Sequence, residues 1–496
     1  MGQRFLISPQ CSVRLVMDKN QSSWVVEEFS CLELNDQRLN ARFMKLADDF
    51  SKHPEFPINQ ACEDWRSTKA AYRFFKNEKF DEQDLLRPHI KNTAKRCQKQ
   101  ELVLVIQDMT VFGYSHHPKT KGLGPIGGHS DPVQKSQGFN LHAALAVSTQ
   151  GVPLGLLSGS FFTRNEMQNT SNEKGKRTDH LLPTEEKESF KWIYTLEQTQ
   201  EALDAKVRAV TICDRESDFH DFYLAALSLG TDVLVRCNAD RNVGTRAKPF
   251  KLSERLAQTE TYPEAITHTV PVKKMNSLTV NQGSRLRKAV LEVKSTQATL
   301  TPSRKLSQVV KEQITLTVVE AREVNTPEGL EPVHWILFTT LSVESYEEAL
   351  IVLEFYSMRW KIEEYFKVLK SGCTVEKCRL AEGDRLKRYV ALFSVIAWRI
   401  YWMTFIKRIS PELSCETALT KNEWQCLYRW KTKDSQAPPD IPTIGEAIVW
   451  VARLGGFLAR KNDGEPGPIT IWRGWSRLQD LVLMNNLTQS RNPTYG

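Results

Sequence analysis

Two aspartates follow apolar runs, at Leu102-Val103-Leu104-Val105-Ile106-Gln107-Asp108 and at Ala209-Val210-Thr211-Ile212-Cys213-Asp214. Uninterrupted runs of this kind suit strands buried on both faces, and the ends of such strands are where α/β proteins place functional groups. A third carboxylate, Glu363, lies in a segment from about 347 to 371 that contains neither glycine nor proline, and the spacing predicts one helix there. On that helix Tyr356, Arg359, Glu363 and Lys370 would fall within a stripe of about 60°, with Ile362, Tyr365, Phe366 and Leu369 on a separate apolar side. Spacing alone also fits a solvated helix carrying an ordinary Arg–Glu pair one turn apart.

If the three carboxylates converge, their mutual repulsion raises the cost of ionising all of them. Binding cations is the simplest relief. An oxygen-only ligand set selects Mg²⁺, with Mn²⁺ as substitute, over zinc. Two such ions can activate a nucleophilic oxygen and stabilise the leaving oxygen of a phosphodiester. Arg359, Lys370 and Tyr356 beside Glu363 would then hold phosphate oxygens, the guanidinium in bidentate fashion. Rival chemistries lack their motifs: there is no Gly-x-Ser-x-Gly elbow and no phosphate-binding Gly-x4-Gly-Lys-Ser/Thr loop. The ten cysteines contain no Cys-x-x-Cys pair, so buried, reduced thiols in a cytoplasmic protein are expected. His116, His117 and His129 lie in loop context without matching partners and are expected to be exposed, not metal-bound.

These residues need elements to hold them. Residues 24–77 read as helices, with Arg38 and Arg42 one turn apart and aromatic and basic residues mixed over 70–77. Strands are expected at 102–106, within 138–157 (turned by Gly151 and Pro153), at 207–213 and at 232–237. The polar stretch 164–188 reads as an exposed loop. Alternating segments such as Lys288–Lys294 and Ile314–Val319 mark a β insertion over about 239–340. It is punctuated by Lys273, Lys274, Arg285, Arg287, Lys288, Arg304 and Lys305. Helices follow to about 428, then a proline-rich linker at 437–442 and a helical tail. The net charge of +8 is modest and favours nucleic acid only if the cations cluster. Residues 1–20 lack the apolar core of a signal peptide. The apolar stretch 389–406 carries Arg399 at its centre, so a buried helix is expected there and no membrane partner.

The helix pattern Tyr356-x2-Arg359-x3-Glu363-x6-Lys370 resembles the Y-R-E-K signature of bacterial insertion-sequence DDE transposases. Within the insertion-sequence-four superfamily the chain resembles the transposon-five type. The matching pieces run in order: Ala71-Tyr72-Arg73-Phe74, Asp108-x-Thr110, Glu186-Lys187-Glu188-Ser189, Cys213-Asp214-Arg215-Glu216-x-Asp218-x-His220, the signature helix, and Ala452-Arg453-Leu454-Gly455-Gly456-Phe457. The resemblance implies an α/β, ribonuclease-H-like (retroviral-integrase-like) catalytic core with a β-strand insertion, flanked by helical domains. Residues 1–85 would bind transposon-end DNA, 86–430 would form the catalytic domain, and 431–496 would dimerise. It implies Asp108, Asp214 and Glu363 as catalytic metal ligands, and Tyr356, Arg359 and Lys370 as contacts near the scissile phosphate. Trp335 would stack on a flipped base when a DNA end forms a hairpin, and Arg236, Lys367, Arg73 and Arg42 are further DNA-contacting candidates. Phe366 stands where the family often has histidine. The implied activity is cut-and-paste transposition by a homodimer in a synaptic complex on double-stranded DNA in the bacterial cytoplasm. The alternatives are a non-catalytic DNA-binding regulator and a ribonuclease-H-like nuclease without strand transfer.

Overall fold

The computed structural model describes residues 24–126, 136–164, 184–245, 247–272, 286–300, 313–434 and 436–490, except 437, 439 and 462. Residues 1–20, most of the polar loop 164–188, His129, the basic residues Lys273, Lys274, Arg285, Arg304 and Lys305, and part of the linker at 437–442 lie outside the described residues.

Five helices lead the described chain: α1 (Trp24–Phe29), α2 (Gln37–Lys52), α3 (Ile58–Ala61), α4 (Trp65–Phe75) and α5 (Glu82–Cys97). Side-chain caps set their starts. Asp36 accepts from Arg38 N, Asp64 from Ser67 N, and Asp81 forms a reciprocal box with Asp84, which satisfies amides that have no partner within the helix.

The sheet is built from β1 (Leu102–Gly113), β2 (Gly124–Pro125), β3 (Gln137–Ser148), β4 (Pro153–Phe162), β5 (Arg208–Cys213) and β6 (Asp232–Arg236). Helices α6 (Phe190–Ala202) and α7 (His220–Leu229) connect its second half. Strands β4, β3 and β1 pair antiparallel, and β1, β5 and β6 pair parallel. The insertion comprises β7 (Asn242–Thr245), β8 (Lys248–Lys251), α8 (Leu252–Ala257), β9 (Ile266–Pro271), β10 (Leu286–Leu300), β11 (Ile314–Val324) and β12 (His334–Thr339). It is not a separate sheet: β12 pairs antiparallel with β6, from Leu337↔Arg236 to Thr339↔Leu234, so the twelve strands among the described residues form one sheet.

Past the insertion come α9 (Tyr346–Ser357), α10 (Trp360–Lys367), a π turn over Val368–Gly372, α11 (Gly383–Ile409), α12 (Lys421–Thr432), α13 (Ile444–Leu454) and α14 (Pro468–Ser490). The expected single helix over 347–371 is therefore in three pieces. Ser357 Oγ donates to Glu354 O at 2.6 Å, and Met358 N and Arg359 N bond three residues back, to Phe355 O and Tyr356 O. A hydroxyl that competes for the helix carbonyls tightens and bends the turn without any glycine or proline. The π turn closes with Cys373 N to Val368 O.

Helix α11 is the one described helix long and apolar enough to cross a membrane, and its most apolar window is wholly buried inside the protein. Arg399 at its centre donates to Ala418 O at 3.0 Å and lies 4.3 Å over the Trp402 ring, as expected of a buried helix. The helices α13 and α14 cross so closely that a Cβ on Gly455 would come within 1.8 Å of Thr470 O, and one on Gly474 within 1.7 Å of Val451 O. That contact explains Gly455 in the Ala452–Phe457 segment. Seven of the nine described cysteines are buried, and all nine are unpaired.

Candidate active site

Strand register places the two aspartates. The parallel pairing of β1 with β5 runs to Ile106↔Ile212, and Asp108 and Asp214 each stand two residues beyond that pair. Side chains alternate along a strand, so both aspartates share the face of Leu104, Ile106, Val210 and Ile212, which belongs to the main core cluster. The neighbouring residues Val103, Val105 and Cys213 join other clusters behind the sheet. Asp214 follows the end of β5 as expected. Asp108 does not end its strand: β1 continues to Gly113, and Asp108 pairs with Ala143 of β3, because β3 supplies a partner beyond the apolar run.

Helix α10 packs on this face and brings Glu363 over the strands. The Arg359 guanidinium lies between the carboxylates, 3.3 Å from Asp108 Oδ2 and hydrogen-bonded to Glu363 Oε1. Asp108 Oδ1 accepts from Met109 N at 2.7 Å, and Asp214 Oδ1 from Glu216 N at 2.8 Å. Burial pushes the Asp108 carboxyl up to about 7; Arg359 and the Met109 amide oppose the rise, and the charges of Asp214 and Glu363 add to it. Asp214 and Glu363 are also raised, by burial first, and Asp214 raises Glu363 further. Three carboxylates thus act on one another, and each is harder to ionise than a free acid.

The donor set fits hard divalent cations: it offers only oxygens, from half-buried acids whose charge the protein does not fully neutralise. The ligand geometry is not ready-made, since among the described residues no three His, Cys, Asp or Glu side chains are arranged to hold a metal ion. Arg359 occupies the position a cation would contest. His116 is exposed and His117 half-buried.

Tyr356, expected on an open stripe, is buried, and its hydroxyl pairs with Arg236. The bend at Ser357 separates it from the face of α10. Arg236, expected beyond a strand end, is the last residue of β6 and donates to His334 O at 3.1 Å. Trp335 on β12 packs edge-on against Tyr356, with ring centroids 5.5 Å apart, and against His268 at 5.4 Å. Trp335 and Arg236 thus both contact Tyr356, which also feels the charge of Arg359. Lys370 sits in the π turn and donates to Val111 O at 2.8 Å, with Glu376 3.5 Å away. It is docked on the far end of β1 instead of continuing the stripe. Lys367 is exposed on α10, and Arg73 and Arg42 lie on α4 and α2, outside this cluster.

Several neighbours escaped the sequence reading. Lys191 Nζ on α6 lies 3.3 Å from Glu188, 3.4 Å from Glu216 and 3.5 Å from Met109 Sδ, and its charge lowers the Asp214 pKa. Its only signal was position, two residues after the Glu186–Ser189 motif. Trp360 is 51% exposed with Arg359 5.5 Å over its ring.

Three family models match the chain in order: Transposase DNA-binding over residues 21–80, Transposase DDE domain over 188–398, and Transposase Tn5 dimerisation domain over 395–493. The DDE match takes in Asp214 and Glu363 and begins after Asp108. A DDE domain carries a ribonuclease-H-like fold, in agreement with the mixed sheet and flanking helices described above.

Proposed function

Because the chain belongs to the Tn5-like DDE transposases, metal-dependent enzymes that cleave DNA and transfer strands, we propose that it performs cut-and-paste transposition with Asp108, Asp214 and Glu363 holding two Mg²⁺ ions. The observation that carries this reading is the shared strand register of Asp108 and Asp214 beneath Glu363, with all three carboxyls raised by burial. Bound there, the two ions would activate the attacking oxygen and stabilise the leaving one, and Mn²⁺ would substitute.

The chain's own residues would orient the DNA. Arg359 offers a planar fork that matches a phosphate; in the DNA-free protein it pairs with Asp108 and Glu363 instead. Tyr356, Arg236 and Lys370 would contact the DNA near the scissile phosphate, and Lys367, exposed on α10, would add a cation. Trp335 would stack on a base flipped from the end duplex, which offsets the cost of unstacking. The order we propose is a first-strand nick, attack of the freed 3′ hydroxyl on the opposite strand to give a hairpin, its hydrolytic opening, and attack of the same hydroxyl on target DNA. Each step is an in-line displacement at phosphorus in which one P–O bond forms as another breaks.

Residues 1–85 would hold the terminal inverted repeats through Arg42 and Arg73, 86–430 would catalyse, and 431–496 would join two copies in a synaptic complex acting in the cytoplasm. On α14, Leu483 is 45% and Met484 59% exposed, apolar surface suited to a partner copy. The test is a nicking and joining assay on end duplexes with labelled 3′ ends. Wild type should yield hairpins and joined products with Mg²⁺, and Asp108→Ala neither. Cleavage retained by clean Asp108→Ala protein would overturn the assignment; open double-strand ends without hairpins would overturn the hairpin route alone.

A further inference from the structure

Strand β1 outruns its parallel neighbour. Its pairing with β5 runs to Ile106↔Ile212, while β1 itself continues past Asp108 to Gly113. Tyr114 N bonds across to Gln137 O of β3. Backbone groups alternate between the two edges of a strand, so those of Val111 and Gly113 face the edge that β5 has left. Backbone donors and acceptors need partners, and here two side chains supply them. Lys370 Nζ donates to Val111 O at 2.8 Å, and Gly113 N donates to Glu376 Oε1 at 2.8 Å. The same Glu376 oxygen lies 3.5 Å from Lys370 Nζ.

Glu376 is aimed by a strained turn. Thr374, a β-branched residue, has φ +48°, a conformation that such residues rarely adopt and that the surroundings must hold. Three bonds hold it. Thr374 Oγ1 donates to Glu55 O at 3.2 Å, the buried Tyr114 hydroxyl donates to Val375 O at 3.2 Å, and Lys377 N closes the turn on Thr374 O at 2.9 Å. The Lys370 and Glu376 side chains are 32% and 33% exposed. An ion pair so open to water contributes little to stability, so a strut is not what this arrangement provides. A lysine ammonium has three donors. One is spent on Val111 O and a second faces Glu376, which leaves the third for a ligand.

We propose that Glu376 is a positioning residue: together with Val111 O it fixes two of the three Lys370 donors, so that the third meets a phosphate oxygen of the bound DNA. This rests on the reading of Lys370 as a DNA contact, and adds to it an acid that by itself would repel a phosphate. Val111 stands three residues beyond Asp108, about 10 Å along the strand, so the phosphate that Lys370 meets is a neighbour of the scissile one. Fixing the ammonium in advance removes the side-chain freedom that a loose lysine would lose on binding.

The experiment is a double-mutant cycle on the full chain, with an end duplex cut from the inverted repeats of the element that carries this coding sequence. Both duplex binding without divalent ions and single-turnover nicking with Mg²⁺ are measured. Lys370→Ala should weaken binding, and raise the duplex concentration giving half the maximal rate, about tenfold. Glu376→Gln keeps an acceptor for Gly113 N while removing the charge. It should shift the same two quantities about threefold to fivefold, with the maximal rate little changed. In the Lys370→Ala background it should add nothing, and melting temperatures should match wild type throughout. Glu376→Gln acting equally with and without Lys370, or leaving binding unchanged, overturns the proposal. Tighter binding by Glu376→Gln also overturns it, and would make Glu376 only a charge that repels DNA. A wild type that binds the duplex but never nicks it with Mg²⁺ would sink the catalytic reading instead, and the binding cycle would still judge Glu376.

Discussion

Two clusters in this protein use the same ingredients, carboxylate and guanidinium, to opposite effect. In the first, Glu28 of α1 receives Arg96 Nη1 and Nη2 of α5 at 2.8 and 2.9 Å and lies 2.5 Å from His89 Nδ1. His89 Nε2 accepts from Leu156 N at 2.9 Å, which puts the ring proton on Nδ1, facing Glu28. Burial alone would raise Glu28, but Arg96 and His89 more than offset it and hold the carboxyl down at about 2. In the second, Asp108 is half-buried beside an arginine, yet its carboxyl is pushed up to about 7. One guanidinium is shared there between Asp108 and Glu363, with Asp214 adding a third negative charge. A carboxylate whose charge is fully matched within the fold is a strut. One left under-matched is, on the proposed reading, a group that a cation the chain does not supply would match.

The contrast is sharpest in what each carboxylate does when neutralised. Asp108→Asn should lower the cleavage rate by about a thousandfold or more, about 4 kcal/mol in the barrier, without lowering the melting temperature, because it removes an under-compensated charge. A large loss of stability in that variant would put Asp108 in the same class as Glu28. Glu28→Gln should do the reverse. It leaves Arg96 without its bidentate acceptor, at a cost of about 3 kcal/mol, visible as a lower denaturation midpoint. The folded fraction should still cleave DNA, and a fully folded but inactive Glu28→Gln protein would break the distinction.

Acid sharpens the structural side. The Glu28 pKa is depressed in the folded chain, so its stabilisation is present above the unfolded value near 4.5 and is lost as pH falls toward about 2. Wild type should lose about 2–3 kcal/mol over that window, and Glu28→Gln should lack that limb of the pH–stability curve. Parallel curves for the two proteins would mean that Glu28 is not held down by its partners.

The same comparison explains what the sequence could disclose. Asp108 and Asp214 were legible because each terminates or interrupts a buried apolar run, and a strand buried on both faces leaves a strong compositional trace. Glu363 was singled out by the Y-R-E-K resemblance, since spacing alone gave only its i, i+4 relation to Arg359. The partner of Arg359 was not: the i, i+4 pair with Glu363 was visible, but Asp108 lies 251 positions away, and long-range pairing leaves no periodicity. The break at Ser357 depends on one hydroxyl choosing a backbone carbonyl, an option open to every serine in a helix. The union of the insertion with the core sheet through β12 and β6 was likewise silent, since alternation marks a strand and not its neighbour. Glu28 drew no attention at all, because an acid in a short helix reads as surface until His89 and Arg96 are folded against it.

The smallest predicted effect bears most directly on the under-matched cleft. A ligand that binds only the folded chain stabilises it by RT ln(1 + [L]/Kd), about 2.7 kcal/mol at a hundredfold excess over Kd. In a chain of this length that corresponds to a rise of about a few degrees in melting temperature. On the proposed reading, Mg²⁺ added to the DNA-free protein would first have to displace Arg359 from Asp108 and Glu363, so the rise should be small and should grow in Arg359→Ala, where no internal cation competes. It should vanish in Asp108→Asn. A shift of equal size in all three proteins would locate the ion elsewhere on the surface. A rise confined to Arg359→Ala would mean that in the resting enzyme the arginine, not the metal, neutralises the cleft, and that DNA must draw the guanidinium onto a phosphate before the ions can enter.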